Sequence, residues 1–440
     1  MSPHAPPLHG SLPPEGADPA RGGPAPDRLH PHAPPLHGSL PPEGADPARG
    51  GANHAPALPP KPLAGVRVLD LSRVLAGPWA GQLLADYGAD VLKVERPGTG
   101  DDTRSWGPPW WGEGDTRVAA YFTCANRGKR SVAIDLSSLE GLQQVRALAR
   151  DADVLIENYK VGQLAKYGLD AASLQTLNPR LVYCSITGYG QTGPLAHKAG
   201  YDFAIQAEAG LMSITGEPDG EPQKVGVAVT DLMTGVYATT AILAALFERQ
   251  TTGRGRVIDA SLFDVQVAML ANQGANQLVG GKTPARMGNA HPNIVPYQVF
   301  PTQDGHMVLA VGNDGQFARL CDAAGHPAVS RDVRYCSNPA RVGNRHALVP
   351  LITGWTLLRT TSDWVSLLDK AGVPCSPILD IAQVMSHPHV LARELRMDSG
   401  EPLYPPMVAN PMLMDGHRLV SNQPPPGLNA HTACWQTPAQ

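Results

Sequence analysis

Short apolar runs recur along the chain from Leu63 onward, each bounded by glycine, proline or acidic residues, with helix-like stretches between several of them. GVRVLDLS (65–72) predicts a buried strand, and GPWAGQLLADYG (77–88) a helix entered through Gly-Pro. ADVLKVE (89–95), SVAIDL (131–136), DVLIENY (153–159) and LVYCSIT (181–187) predict further strands rich in β-branched residues, and SLEGLQQVRALARDA (138–152) an intervening helix. KVGVAV (224–229) alternates as one more strand, after which Asp231 is expected to open a helix running through GVYATTAILAALFERQ; VIDASLF (257–263) follows a TGRGR turn. Strands alternating with helices imply a mostly parallel sheet covered on both faces.

The pattern shifts near residue 280. YQVFPTQDGHMVLAVG (297–312) holds two apolar runs around Asp-Gly, a hairpin signal, and short helices are predicted near 314–325, 345–357 and 361–371. The expected fold is α/β: a Rossmann-like large domain over 63–284, a smaller α+β domain over 285–385, and a proline-rich segment, 386–440, returning to the large domain. Residues 1–62 differ in kind, because PHAPPLHGSLPPEGADPARGG occurs at 3–23 and again, unchanged, at 31–51. So polar and proline-rich a segment buries too little apolar surface to offset its ordering entropy, and disorder is expected.

Composition narrows the function classes. A net charge of −4 with no Lys/Arg run argues against nucleic acid or an anionic membrane as the main partner. Six dispersed cysteines without C-x-x-C point to a reduced cytoplasmic protein and against a zinc module. The apolar stretch Gly235–Phe247 is too short to cross a bilayer and fits a buried helix. VLAGPWAG, after the first strand, lacks the G-x-G-x-x-G turn, which disfavours a nicotinamide dehydrogenase. One acid stands out: Asp231 ends the apolar run VGVAVT and begins a helical stretch, so it is either an N-cap or a working carboxylate.

An ordered set of segments resembles the class III CoA-transferase family of formyl-CoA-transferase type. They are GVRVLDLSRVLAGPWA, GADVLKVERPGTGDDTR, NRGKRSVAIDL, DVLIENY, CSITGYGQTGP, AGYD, VAVTDLMTG, GRGRVIDASLFD and GNAHPNIVPYQ, spanning roughly Leu63 to Glu394. ERPGTGDDTR and CSITGYGQTGP are most similar to the branch that moves CoA from succinyl-CoA to a small dicarboxylate such as glutarate. The resemblance implies that Asp231 is the nucleophile, carrying first a mixed anhydride and then an aspartyl-CoA thioester. It also implies CoA thioesters as substrates, no permanently bound cofactor or metal, and a homodimer whose subunits thread through one another.

By the same resemblance Val74, Leu75 and Ala76 line the pantetheine path, and Ile134, Leu136, Asn158 and Tyr159 lie near adenine and ribose. Arg96 and Lys166 are candidates for the phosphates. Tyr201 lines the active site, and the loop Gly288, Asn289, His291 stands where formyl-CoA transferase has a run of glycines. Leu75 departs from that enzyme, which has glutamine there. Arg104 and Arg73 are candidates for a dicarboxylate's second carboxylate, since a guanidinium matches it with two parallel hydrogen bonds. Two alternatives share the family: a racemase moving an α-proton, which uses histidine where Tyr201 stands, and a catalytically silent CoA-binding relative.

Overall fold

The computed structural model of the chain describes residues 61–114, 117–398 and 404–435. The duplicated N-terminal segment, apart from Lys61 and Pro62, therefore lies outside the described residues, as does any expectation of its disorder.

The large sheet is built from six parallel strands. In chain order the elements are β1 (Arg67–Asp70), α1 (Ala76–Asp86), β2 (Asp90–Glu95), the short pair β3 (Trp110–Trp111) and β4 (Val118–Ala119), α2 (Ala120–Thr123), β5 (Lys129–Ala133), α3 (Leu139–Arg150), β6 (Val154–Glu157), α4 (Ala171–Leu177), β7 (Val182–Thr187), α5 (Asp202–Glu208), α6 (Val229–Thr252), β8 (Val257–Ser261), α7 (Leu262–Met269) and α8 (Ala271–Gly280). The strand order is β5-β2-β1-β6-β7-β8. The chain moves outward from β1 through β2 to β5, then returns to the other side of β1 and runs outward through β6, β7 and β8.

The near-continuous apolar strands follow from burial on both faces. Val68, Val91, Val154 and Val182 point to one face and pack with Ala80, Leu84, Ala238 and Ile242 of α1 and α6. Their neighbours Leu69, Leu92, Leu155 and Tyr183 point to the other, against Val145 and Leu148 of α3 and Leu174 of α4.

Two sequence expectations change here. KVGVAV forms no strand: the N–H of Val225 is taken by Gln206 Oε1 of α5 at 2.9 Å, and Val227 is exposed. Alternating polarity yields a strand only beside an open ladder, and this segment lies along a helix instead. Helix α6 begins at Val229 with Ala228 at its N-cap, so Asp231 sits inside the first turn and does not open it. With 24 residues, α6 is also long and apolar enough to cross a membrane by length and composition, unlike the shorter run read from sequence. Its face of Gly235, Ala238, Thr239, Ile242, Ala245 and Leu246 is buried, while Tyr237 and Phe247 are exposed.

The second core lies beyond α8. β9 (Tyr297–Pro301) and β10 (His306–Ala310) form the antiparallel hairpin read from sequence, followed by α9 (Asp314–Ala323), α10 (Asn338–Gly343), α11 (Arg345–Thr356), α12 (Thr361–Lys370) and β11 (Cys375–Pro377), which pairs with β10. Phe300, Leu309, Phe317, Leu348, Trp355 and Trp364 fill it. Residues 404–435 run back along the large sheet: Val408 O accepts from Arg127, Ser421 N donates to Asp86, and Gln423 O accepts from Gly128 N.

One glycine sets the distance between the two helices that reach the sheet's carboxyl edge. A Cβ at Gly235 would stand 2.7 Å from Ala76 O and 3.0 Å from Trp79 Cβ, so α6 crosses α1 with backbone nearly touching backbone. Gly235→Ala is expected to lower the urea midpoint. Overpacking of about 1–3 kcal/mol outweighs the roughly 1 kcal/mol that alanine gains in helix propensity. Because Gly235 lies one turn beyond Asp231, turnover should fall as well; an unchanged midpoint in equilibrium unfolding would sink this account.

Candidate active site

The chain leaves β1 in one direction and β6 in the opposite one, which opens a crevice at the carboxyl ends of the strands. A cavity of about 520 Å³ occupies it. Arg73, Val74, Leu75 and Ala76 after β1, Asn158, Tyr159 and Lys160 after β6, and Ile186, Thr187 and Gly188 at the end of β7 supply one wall. Tyr201 and Asp231 supply the other. A second cavity of about 380 Å³ adjoins it, lined by Arg96, Ile134, Leu136 and Tyr167, and the two share Arg73, Tyr159 and Gln163. The structure thus brings Asp231, Tyr201, Arg73 and every CoA candidate except Lys166 to one continuous pair of cavities. Lys166 is exposed and lines neither.

Buried charge holds the β1 loop in place. Lys129, fully buried, gives its ammonium to Asp70 Oδ2 at 2.9 Å, to Pro78 O at 2.8 Å and to Asn126 Oδ1 at 3.0 Å. Asp70 Oδ1 in turn accepts from both the N–H and the hydroxyl of Ser72. Lys93 donates to Ser72 O at 2.6 Å and pairs with Asp101 at 2.9 Å. Asp101, its carboxyl held down at about 2 by that ammonium and by the N–H and hydroxyl of Thr103 despite burial, also accepts from Val74 N at 3.3 Å. From the other side Asn158 accepts from Arg73 N at 2.9 Å and donates to Arg73 O at 2.7 Å. Between these anchors Val74 adopts φ 71°, a left-handed conformation that costs a β-branched residue on the order of 1–3 kcal/mol. Asn158, expected near the ribose, is first of all the clamp on this strained loop.

The question of cap or catalyst at Asp231 has a geometric answer. The first turn of α6 is capped by a different acid, Asp202 on α5, whose Oδ1 accepts from Thr230 N at 2.8 Å and from Asp231 N at 3.3 Å. Gln206 donates to the other oxygen of Asp202 at 2.7 Å. The Asp231 side chain is therefore free of the helix end and faces the cavity. Burial, and then the Asp202 charge, push its carboxyl up to about 7. Tyr121, behind it, is pushed up to about 12 by burial and then by the Asp231 charge. The N-terminus of α1, which has no side-chain cap, opens on the same cavity through Leu75 and Ala76, so two helix dipoles favour an anion there. Tyr201 is 69 % exposed, and its backbone comes to the cavity because Gly188 and Gly200 touch: a Cβ on Gly188 would lie 2.6 Å from Gly200 Cα.

Other candidates have different positions. Arg104 is committed: it forks onto Glu95 with two 2.7 Å bonds, donates to Pro426 O at 3.0 Å and covers the Phe122 ring at 3.8 Å. It lines neither cavity, and its partner is Glu95, not Asp101 or Asp102. Gly288, Asn289 and His291 are not brought to Asp231. Gly288 N donates to Gly216 O, and His291 packs its ring at 5.3 Å from Tyr297. Residues not singled out from sequence also line the main cavity: Asp102, Trp106, Lys160, His197 and Lys198. Asp202, which sequence reasoning missed, carries a readable signal: an acid directly after Gly-Tyr at a helix start.

Known proteins fit this geometry. The description of CoA-transferase family III matches residues 63–432. A succinate–glutarate CoA-transferase of Agrobacterium fabrum is 52% identical over 376 residues, covering 84% of this chain and 94% of that one. A succinyl-CoA:glutarate CoA-transferase of Mus musculus is 45% identical, covering 84% and 85%. Among solved structures, a CAIB/BAIF family protein from Brucella suis superposes with a TM-score of 0.76 at 49% identity, covering 85% of this chain and 98% of that one.

The raised carboxyl of Asp231 has a thermodynamic consequence. A folded-state value near 7, above the ordinary 3.8, stabilises the fold fully below pH 3.8 and loses that contribution as pH rises to about 7. Asp231→Asn removes the titration. Its unfolding free energy should exceed the parent's least near pH 4, increasingly up to pH 7, and by a constant margin above pH 8, on the order of 4 kcal/mol. Scanning calorimetry across that range checks it, and a gap that does not change with pH would contradict the assigned environment. With the cavity at the sheet's switch point, a carboxylate of this kind at its centre and these relatives, the chain belongs to CoA-transferase family III and is a class III CoA-transferase.

Proposed function

We propose that the protein moves CoA from succinyl-CoA to glutarate through a covalent cycle on Asp231. The observation that carries this reading is the Asp231 carboxylate itself, released from helix capping by Asp202 and set in the cavity with little hydration. A poorly hydrated carboxylate with a raised pKa is a stronger nucleophile than one in water. The relatives named for succinate and glutarate support the choice of substrates.

In this cycle an Asp231 oxygen attacks the thioester carbonyl and expels CoA thiolate, leaving a succinyl-aspartyl anhydride. The thiolate attacks the Asp231 carbonyl carbon, releasing succinate and forming the aspartyl-CoA thioester. A glutarate carboxylate attacks that carbon and frees the thiolate, which takes the glutaryl group and restores the Asp231 carboxylate. No proton is gained or lost overall, so no acid–base residue is required. The pantetheine would lie along Val74–Ala76 and the adenine end in the cavity of Arg96, Ile134 and Leu136, with Tyr159 between them. Arg73 is the arginine available in the Asp231 cavity for a second carboxylate. A threaded homodimer is part of the same reading, supported by the exposed Phe247, Leu278 and Val279 on α6 and α8; the Gly288–His291 loop would then act in the assembled dimer.

Incubation with succinyl-CoA should add the mass of CoA less one water to the peptide carrying Asp231, and hydroxylamine should remove the CoA. Asp231→Asn should abolish both adduct and glutaryl-CoA formation. The single-turnover rate of adduct formation should climb with pH and level off above an inflection near 7, where Asp231 ionises. Full transfer by Asp231→Asn, or exchange of the substrate's α-proton with deuterated water instead of transfer, would refute the reading.

A further inference from the structure

The acids and bases around the β1 loop are matched in pairs, and one pair differs from the rest. Lys93 with Asp101 is buried and Arg104 with Glu95 largely so, and each charge there has at least one further hydrogen-bond partner. Arg73 and Asp102 instead meet through one contact, Nη1 to Oδ2 at 2.7 Å, with side chains 37% and 40% exposed. Both line the Asp231 cavity, and Arg73 also forms the wall shared with the neighbouring one. Arg73 Nε is buried without a hydrogen-bond partner, so the guanidinium is not fully used. Its backbone, by contrast, cannot wander, because Asn158 holds both the N–H and the carbonyl.

A guanidinium fixed at its root, held at its tip by one exposed carboxylate and with a donor to spare, is a site that exchanges one carboxylate for another. We propose that Asp102 is a placeholder: it occupies Arg73 in the empty enzyme and is displaced by the distal carboxylate of a dicarboxylic acid. This deepens the proposed function and rests on it. The consequence is a selection rule. A dicarboxylate repays the broken ion pair by forming a two-bond pair with Arg73, whereas a monocarboxylate of equal length has nothing to offer and leaves Asp102 in place. Asp102 thus lowers affinity for the right acid while keeping Arg73 aimed and its charge neutralised when the wrong acid is present.

Asp102→Asn separates these effects. With succinyl-CoA as donor, KM should fall about three- to tenfold for glutarate and for succinate exchange, while kcat/KM for butyrate and pentanoate should change less than about twofold. Arg73→Ala should raise KM at least tenfold for the diacids and for succinyl-CoA, whose acyl group carries the same distal carboxylate, so the diacid-to-monoacid ratio of kcat/KM should fall at least tenfold. Inhibition by free CoA, which carries phosphates but no acyl carboxylate, should be unchanged in Asp102→Asn. A parallel change for diacids and monoacids overturns the inference, and so does a change confined to free CoA, which would assign Arg73 to the phosphates. Asp102→Asn should fold normally, since its side chain makes one exposed pair; Asp102→Ser must reproduce the same diacid shift. Failure of the parent enzyme to form glutaryl-CoA is a separate outcome and refutes the proposed function itself.

Discussion

The capping of α6 by Asp202 is the contact on which the site depends. The first turn of any helix leaves N–H groups without partners, and an aspartate three residues into the helix would ordinarily be drawn to them. Asp202 reaches across from α5 and takes two of those N–H groups. That removes the reason for Asp231 to fold back, and it leaves the second acid beside the first without a donor of its own. Two close carboxylates repel, and Asp231, without hydrogen-bond donors, is the harder to ionise. Hence Asp202 bears the structural role and Asp231 the raised pKa, although both stand at the same helix end.

The neighbouring loop is held by a costlier arrangement. Burying Lys93, Lys129, Asp70, Asp101 and Glu95 removes several ions from water, which their mutual attraction offsets only if geometry and hydrogen bonding are good. Here each is met by two or more partners, and the net result is rigidity more than stability. That rigidity is what keeps Val74 at positive φ and Arg73 rooted at the junction of the two cavities. A more relaxed loop would let the substrate path close or drift, and positions off by an ångström are expensive in transfer chemistry.

Much of this was legible in the sequence, for physical reasons that differ by element. Five of the six parallel strands were readable because burial on both faces keeps most of their side chains apolar or β-branched, as in Val154, Leu155 and Ile156 of β6. The hairpin at 297–310 announced itself through Asp304-Gly305. KVGVAV misled because alternation records which side chains are apolar and not whether a ladder is alongside. The fate of the charged residues could not be read at all. Arg104, Arg73, Asp101 and Asp102 lie within GDDTR and LSRVL, and which acid meets which base is decided by the loop after β2, which folds Asp101 back onto Lys93 and Arg104 onto Glu95 and leaves Asp102 to Arg73. Asp202 and Asp231, 29 positions apart, meet beside the point where Gly188 and Gly200 let two backbones touch.

The value near 7 at Asp231 is itself a compromise that the chemistry demands. A carboxylate left at its ordinary value would be fully ionised but strongly hydrated, and its attack on a thioester would first have to strip that water. A carboxylate in a wholly apolar site would hold its proton through the physiological range and seldom attack. Burial and then the Asp202 charge raise the value to about 7, so that the proton leaves near neutrality and the resulting anion, close to the N-termini of α1 and α6, still meets little solvent. The same helix field suits the later stages, in which the charge passes to the CoA thiolate and then to the departing acid within the same cavity. In the proposed cycle one arrangement of dipoles serves each anion in turn, and because every step exchanges one anion for another, a single carboxylate without a proton shuttle suffices.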